Sequence, residues 1–565
     1  MFRAKSPQGS LFQAAFLFPE QKAKRLERSW AEVFQERALP LIDEERFAPM
    51  YCDDNGRPNR AVQTVLGVLI LKEMFNLTDE EALEELEFNL LWHHALRLTL
   101  EEAHLPQKTL HNFRCRLMAY DGGRVAFTET TDRIIQALGI RTGRQRLDST
   151  HIMSNIALLT RLGLFCETIR LFLGAVRREH PELRHLIPGG LMARYLKEEE
   201  ATNYEDVRSD AARQRLGVCA RDLYRLIDRM RGTAAQGLEE YRLLERLLRE
   251  QCEVGGKGDG RPGAGDDDAA EGNVPIAIKD PKQVRSDSLQ SPHDPGVTYS
   301  GHKGKGYEVQ VAETCEQENV TQILTHVETT PSSGSDAAMT VPVIDALTQR
   351  EIQPGELFAD TTFGSGGNAI EAERRGTELV SPVAGPGAGK IEEASQGADT
   401  RLTAADFQID ASAGRPSVCP AGQEAIDEYE ECEAPERVEL RFAGATCEAC
   451  PLRTRCPVEL SRNPGIYVLE ADLIKVNIER RRRAEASGEF RRRYAVRAGI
   501  EGTNSELKRA HGLGRLRVRG GLRVRLAVYL KALACNLKRM VQALLEEKLR
   551  KPTVAAEEAP GPAMA

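Results

Sequence analysis

No apolar run in this 565-residue chain approaches the roughly eighteen residues that a membrane span needs, so a membrane protein is not expected. Near the start only Leu11 to Phe18 is apolar, and it leads into a charged segment without a small-residue cleavage site. A secretory signal is therefore not expected, and the cytoplasm, beside the nucleoid, is the expected location. The twelve cysteines are too dilute for a disulfide framework, and in a reducing compartment clustered ones read first as metal ligands. Net positive charge is also lacking: 77 Lys and Arg face 85 Asp and Glu, for a net charge of −8. That balance alone argues against a nucleic-acid partner, but the distribution reverses it. Between Arg480 and Arg525 stand fifteen Lys or Arg against four Glu (Glu485, Glu489, Glu501, Glu506), a local surplus that suits phosphates, although basic runs are also ordinary solvated helix faces.

The length exceeds one ordinary core, which predicts two or three domains with linkers or insertions. Residues 1–140 read as a helical module for DNA binding or assembly. Within it Thr78 and Glu81 form a capping box, and Pro106-Gln107-Lys108-Thr109 opens a helix carrying His111, Asn112, Arg114 and Arg116. That helix either enters a DNA groove or is a solvated amphipathic helix of a packing domain. Residues 141–154 hold a strand, Arg144 to Ile152, that delivers Asp148 near its end. A helical insertion follows over 155–252, then a linker over 253–275 containing the Gly- and Asp-rich run Gly255 to Gly272. Strand signals resume over 276–384: the period-two Tyr307 to Val311, the β-branched Thr321 to Val327, Gly355 to Asp360 running into a glycine-rich turn, and Leu379-Val380. Asn368 is a candidate cap for the helix after that turn. A small cysteine-rich insertion, zinc-ribbon-like, occupies 385–480, helices follow over 481–551 (about 487–511 and 521–549), and 552–565 is an Ala/Glu/Pro-rich, disordered tail. The order predicts an α/β class: a mixed sheet with flanking helices, an N-terminal helical domain and two insertions.

The helix near residue 500 carries the most information. Tyr494, Arg497, Glu501 and Lys508 are three, four and seven residues apart, so at 3.6 residues per turn they share one stripe. Such a stripe is costly to bury and must meet solvent or a charged ligand. The bland alternative is an intrahelical pair such as Arg497 with Glu501, worth a few tenths of a kcal/mol. That alternative leaves Gly499 and Gly502 unexplained, since each costs about 1 kcal/mol relative to Ala in a helix; a close-approaching backbone or DNA strand would account for both.

Tyr494-x2-Arg497-x3-Glu501-x6-Lys508 resembles the Y-R-E-K signature of DDE transposases from bacterial insertion sequences. The resemblance implies an RNase H-like core in which two Asp from neighbouring strands and one Glu from a later helix hold two metal ions. Asp148, in Leu-Asp-Ser-Thr, matches the first carboxylate, and Asp360, in Ala-Asp-Thr-Thr-Phe-Gly-Ser-Gly-Gly-Asn, is similar to the second. Thr361-Thr362-Phe363 departs from the small residues, Gly and Tyr that relatives more often place there. His302 to Tyr307, His511-Gly512 and Asn536 to Arg539 look like the same family, so the resemblance spans roughly residues 40 to 545.

Phosphodiester chemistry gives these residues a reason. Two metals roughly 3.5–4 Å apart activate the attacking oxygen and stabilise the leaving one, and hard carboxylate ligands suit Mg²⁺ or Mn²⁺. Asp148 is expected to bridge the ions, with Asp360 and Glu501 each holding one. Arg497, Lys508, Lys303 and Lys305 are expected phosphate contacts, Tyr494 a DNA contact, and Arg515, Arg517 and Arg519 part of the basic surface. Strand alternation puts His151 on the face opposite Asp148, in a structural role. The expected partners are double-stranded DNA, as transposon ends and target, and a second copy of the chain. Cys419, Cys447, Cys450 and Cys456 suit a closed, structural tetrahedral Zn²⁺ site, with Cys432 unplaced; free cytosolic thiols are the alternative. A metal nuclease of the same core without strand transfer, or a non-catalytic DNA-binding relative, also fits the sequence.

Overall fold

The computed structural model describes residues 1–5, 19–52, 58–196, 210–255, 276–384, 401–409, 416–431 and 434–550. The expected linker from residue 256 onward, the loop 385–400, Cys432, the apolar stretch at 11–18 and the C-terminal tail lie outside these residues. No helix among the described residues is long and apolar enough to cross a membrane.

Among the described residues seven α-helices precede the sheet: α1 (Glu20–Leu26), α2 (Trp30–Val33), α3 (Val62–Met74), α4 (Asp79–Phe88), α5 (Leu90–Ala95), α6 (Gln107–Ala119) and α7 (Gly122–Leu138). Helix α3 is apolar nearly all round and almost wholly buried, as a helix without a solvent face must be. Helix α4 starts at the expected capping box, with Thr78 and Glu81 each accepting the other's backbone N–H. Helix α7 stops at Gly139, whose φ of +61° closes it in the left-handed conformation. Helices α3 and α7 pack on the terminal helix Gly521–Arg550, and their apolar residues join one hydrophobic cluster with the sheet, including Leu66, Phe127, Leu147, Val311 and Leu533.

The sheet is mixed. Strand β1 (Arg144–Ile152) lies at its centre, antiparallel to β5 (Gly304–Thr314) on one side and parallel to β7 (Glu356–Phe358) on the other. Strand β6 (Leu324–Pro331) pairs antiparallel with β5, and β8 (Glu378–Val380) parallel with β7. A short β4 (Thr298–Ser300) pairs with the start of β5. Asp148 is the fifth of nine residues in β1, so the strand continues past it rather than ending near it. Helix α12 (Thr340–Thr348) precedes β7, and α13 (Gly366–Arg374) follows the glycine-rich turn. The cap of α13 is Ser365, whose hydroxyl accepts from the N–H of Asn368. Asn368 instead sits inside the first turn and donates to the carbonyls of Ala337 and Phe363, closing the turn that begins at Asp360.

Two further units carry their own cores. Helices α8 (Arg161–Glu179), α9 (Gly189–Leu196), α10 (Asp210–Met230) and α11 (Glu239–Gln251) bury a cluster around Phe165, Phe172, Leu223, Tyr241 and Leu244. Strand β2 (Cys252–Val254) pairs with β3 (Ile276–Ile278) beside it. The cysteine segment folds on a four-stranded sheet, β9 (Asp427–Glu431), β10 (Ala434–Ala443), β11 (Glu459–Leu460) and β12 (Ile466–Asp472), in the order β11-β12-β10-β9. Its core is Phe407, Leu440, Phe442 and Leu469.

Candidate active site

The register brings the first two carboxylates together. Because Arg146 of β1 pairs with Phe358 of β7 in parallel, Asp148 and Asp360, each two residues further on, come level just past the last β1–β7 pair. Asp148 is buried, while Asp360 follows the end of β7 with its Oδ1 held by the N–H groups of Thr362 (2.8 Å) and Phe363 (3.4 Å). The third acid arrives on the helix Gly499–Arg509, which packs across β1. The single helix expected over 487–511 is in fact helix Gly488–Tyr494, a 3-10 turn at Ala495–Ala498, and helix Gly499–Arg509. Through the tighter turn Arg497 and Glu501 still fall on one side.

One guanidinium joins the three acids. Arg497 Nη2 donates to Asp148 Oδ1 at 3.0 Å and lies 3.9 Å from Asp360 Oδ2, while its Nη1 reaches Glu501 Oε1 at 3.2 Å. Glu501 is otherwise open, its side chain 69% exposed. Burial pushes the Asp148 carboxyl above the usual carboxylate range, Arg497 opposes this, and Asp360 adds to it. Three carboxylates gathered on a single guanidinium supply hard oxygen donors, the donor chemistry that Mg²⁺ or Mn²⁺ takes. Tyr494 does not stand free: its hydroxyl donates to the carbonyl of Ala359 at 3.2 Å and its ring stacks on Phe490, so it props the residue before Asp360.

Beneath the acids runs a buried ion network that sequence reasoning missed. Glu313 of β5, fully buried, accepts from Arg146 Nε (2.7 Å), Thr503 Oγ1 (2.6 Å) and Arg539 of the terminal helix. Arg146 also donates to the carbonyl of Val496 at 3.0 Å. This explains Gly499: a Cβ there would stand 2.7 Å from Cζ of Arg146, and closer still to its Nη1. The close neighbour is thus an arginine side chain, neither backbone nor DNA. Gly502 is exposed, with nothing within 4 Å of an added Cβ. Asn504, also missed, donates from Nδ2 to Asp148 Oδ2 at 3.0 Å. The signal was available, since Asn504 is one turn from Glu501 on the same helix. Asn536 grips β6 by accepting from the N–H of Leu324 and donating to its carbonyl, both at 2.8 Å.

The expected phosphate contacts divide. Lys508 and Lys303 are exposed; Lys303 Nζ lies 3.1 Å from Glu308 Oε2 and 3.8 Å from Asp336 Oδ2. Lys305 is committed to the carbonyl of Leu159 at 2.7 Å. Arg515, Arg517 and Arg519 alternate outward while Leu516 is buried, and the segment runs beside the chain leaving β1, where Leu516 donates to the carbonyl of Met153 and Asn155 to that of Val518. Arg517 is bonded to the carbonyls of Asn76 and Leu77. His151 pairs with Glu308 in the β1–β5 register and its Nδ1 lies 3.4 Å from that carboxylate, on the face away from Asp148. On α6, Arg114 is ion-paired with Asp79 and Arg116 lies over the Tyr51 ring.

Cys419, Cys447, Cys450 and Cys456 line one small cavity of about 30 Å³ under Phe442. A separate group, Glu506, His511 and Cys535, has ligand atoms within 4.8 Å of one another. Arg539 occupies Glu506 through Nε and Nη2, and burial pushes the Cys535 thiol up to about 12.

Residues 418–541 match the family described as Transposase DDE domain, and residues 24–116 match the family described as Transposase domain (DUF772). No curated protein and no solved structure matches the chain. Glu501, Arg497, Lys508 and the cysteines fall inside the first match, whereas Asp148 and Asp360 lie between the two. Together the two matches support a DDE-type transposase, a class of enzyme that acts on DNA with divalent metal ions.

Proposed function

We propose that this chain is a DNA transposase of a bacterial insertion sequence, of the Y-R-E-K branch, cutting transposon ends and joining them to target DNA with Asp148, Asp360 and Glu501 as its metal-binding acids. The observation that carries the reading is the meeting of these three carboxylates, from two neighbouring parallel strands and one later helix, on the single guanidinium of Arg497. The strand order β6-β5-β1-β7-β8, antiparallel over the first three and parallel over the last three, supports an RNase H-like core.

Two Mg²⁺ or Mn²⁺ ions, when bound, would activate the attacking oxygen and stabilise the leaving one. The chain's own residues supply the rest. Arg497 neutralises the acids against one another and so keeps three carboxylates together in a partly buried site. Lys508, exposed near Asp148, and Lys303, beside Lys508, offer ammonium groups to the phosphates flanking the scissile bond. Arg515 and Arg519 extend that basic surface towards the N-terminal helices, which in this reading bind ends or assemble a dimer on paired DNA. The four cysteines hold a structural zinc that shapes the insertion and takes no part in chemistry.

The test uses a labelled duplex carrying the terminal inverted repeat. Alanine at Asp148, Asp360 or Glu501 should abolish Mg²⁺-dependent cleavage while leaving DNA binding intact; cleavage by any of the three variants would falsify the site. Cleavage without joined products at any target would leave a nuclease of the same core.

A further inference from the structure

Asp148 is held by two donors of different kinds. On Oδ1 it has the charged guanidinium of Arg497, and on Oδ2 the neutral amide of Asn504, each at 3.0 Å. A carboxylate offers no hydrogen, so the amide must turn its NH₂ to Asp148 and its oxygen away. That oxygen, Asn504 Oδ1, is buried and without a hydrogen-bond partner. An unmade bond of this kind is costly, and here it accompanies a donor that a carboxylate centre can use. The helix sets the placement. Thr503 is tied to Glu313, Ile500, Thr503 and Leu507 form the buried face, and Asn504 follows Glu501 by one turn.

We propose that Asn504 is a positioning residue for the metal site: through Oδ2 it fixes the orientation in which the Asp148 carboxylate would hold a divalent cation. This rests on the proposed function above. A neutral donor suits the task, because it adds no second positive charge to the one Arg497 already brings to the carboxylate, as a lysine or arginine in its place would. Asn504 does not touch DNA in this scheme. Its loss should weaken metal binding and spare the rate at saturating metal. Losing a hydrogen bond to a charged group corresponds to about tenfold or more in affinity.

The full-length chain, N504A, N504L and D148A are compared in two measurements: binding of Mn²⁺ alone by electron paramagnetic resonance, and end cleavage as a function of Mg²⁺ concentration. Thermal melts confirm that each is folded. N504L keeps the bulk of the side chain, so a packing role would leave it like wild type. Expected is a tenfold or greater weakening of Mn²⁺ binding in both Asn504 variants, with a matching rise in half-saturating Mg²⁺ and a maximal rate near wild type. Unchanged Mn²⁺ affinity in N504A and N504L, with D148A unable to bind, overturns the role of Asn504 and leaves the site standing. A lower maximal rate at unchanged half-saturation overturns it too. Mn²⁺ binding and cleavage retained by D148A would overturn the parent reading instead.

Discussion

Two glycines three residues apart in the Glu501 helix should respond to alanine in opposite directions. At Gly499 the added methyl meets the Arg146 guanidinium, which has little room to yield, being bonded to buried Glu313 and to the carbonyl of Val496. Displacing one partner of a buried ion pair costs about 3–5 kcal/mol. Glu313 would keep Thr503 and Arg539, which places the loss near the lower end, and alanine returns about 1 kcal/mol in helix propensity. The net expectation for Gly499→Ala is a destabilisation of about 2 kcal/mol. At Gly502 nothing obstructs the methyl, and the exposed helix should gain about 1 kcal/mol. Calorimetry of the full chain, reading the transition that contains the sheet, would order the proteins G502A, wild type, G499A from highest to lowest melting temperature. A G499A protein as stable as wild type would refute the account of the buried network, and a destabilised G502A would mean that unseen contacts surround it.

Lys508→Ala should weaken DNA binding across sequences and lower the slope of log affinity against log salt by about 1, measured by fluorescence anisotropy at several salt concentrations. The Glu167 carboxyl, which burial alone would raise, is drawn down to about 2 by hydrogen bonds from Arg170 and His293. A depressed carboxylate contributes stability above its usual range that is lost as pH falls towards 2, so melting temperatures between pH 4.5 and 2 should fall less steeply in Glu167→Gln. At pH 8 an alkylating reagent should modify exposed Cys52 and Cys115 in the native protein but reach Cys315 and Cys535, both pushed up to about 12 by burial, only after unfolding; peptide mass spectrometry decides. Were the four cysteines to hold zinc as proposed, a strong chelator should unfold the β9–β12 unit and leave the far-ultraviolet helical signal largely intact.

Much of the scaffold was legible because it obeys local rules. The capping box at Thr78, the strand alternation from Tyr307 and the proline start of α6 each depend on a few adjacent residues, and each element forms where expected. The stripe from Tyr494 to Lys508 was read from helical spacing, which survives the 3-10 turn because Arg497 and Glu501 stay within hydrogen-bond reach. Roles set by tertiary partners were harder to read. Tyr494 and Lys305 look like DNA contacts in sequence, yet their polar atoms are bonded to carbonyls of Ala359 and Leu159, neither of which is close in the chain. The network through Arg146, Glu313 and Arg539 joins three segments more than 150 residues apart in sequence, and no local pattern marks it. The strands of the cysteine segment escaped notice because its turns and thiols dominate its composition.

The long excursion between β1 and β5 bears on how the chain folds. Asp148 and its β5 partner Val311 are 163 positions apart, so β1 emerges from the ribosome with neither of its sheet neighbours yet made. Closing so large a loop is slow when the intervening chain is loose. Here the intervening helices bury their own core, and contacts such as Glu167 with His293 and Arg161 with Gln251 bring the two ends of the excursion side by side. Once that unit has folded, the contact between Glu167 and His293 makes the search left to β5 much shorter than one across the whole insertion. The helical insertion thereby acts as a folding clamp on the central strand, and deleting it should leave the sheet slow to form and prone to aggregate, even if a short linker spans the gap.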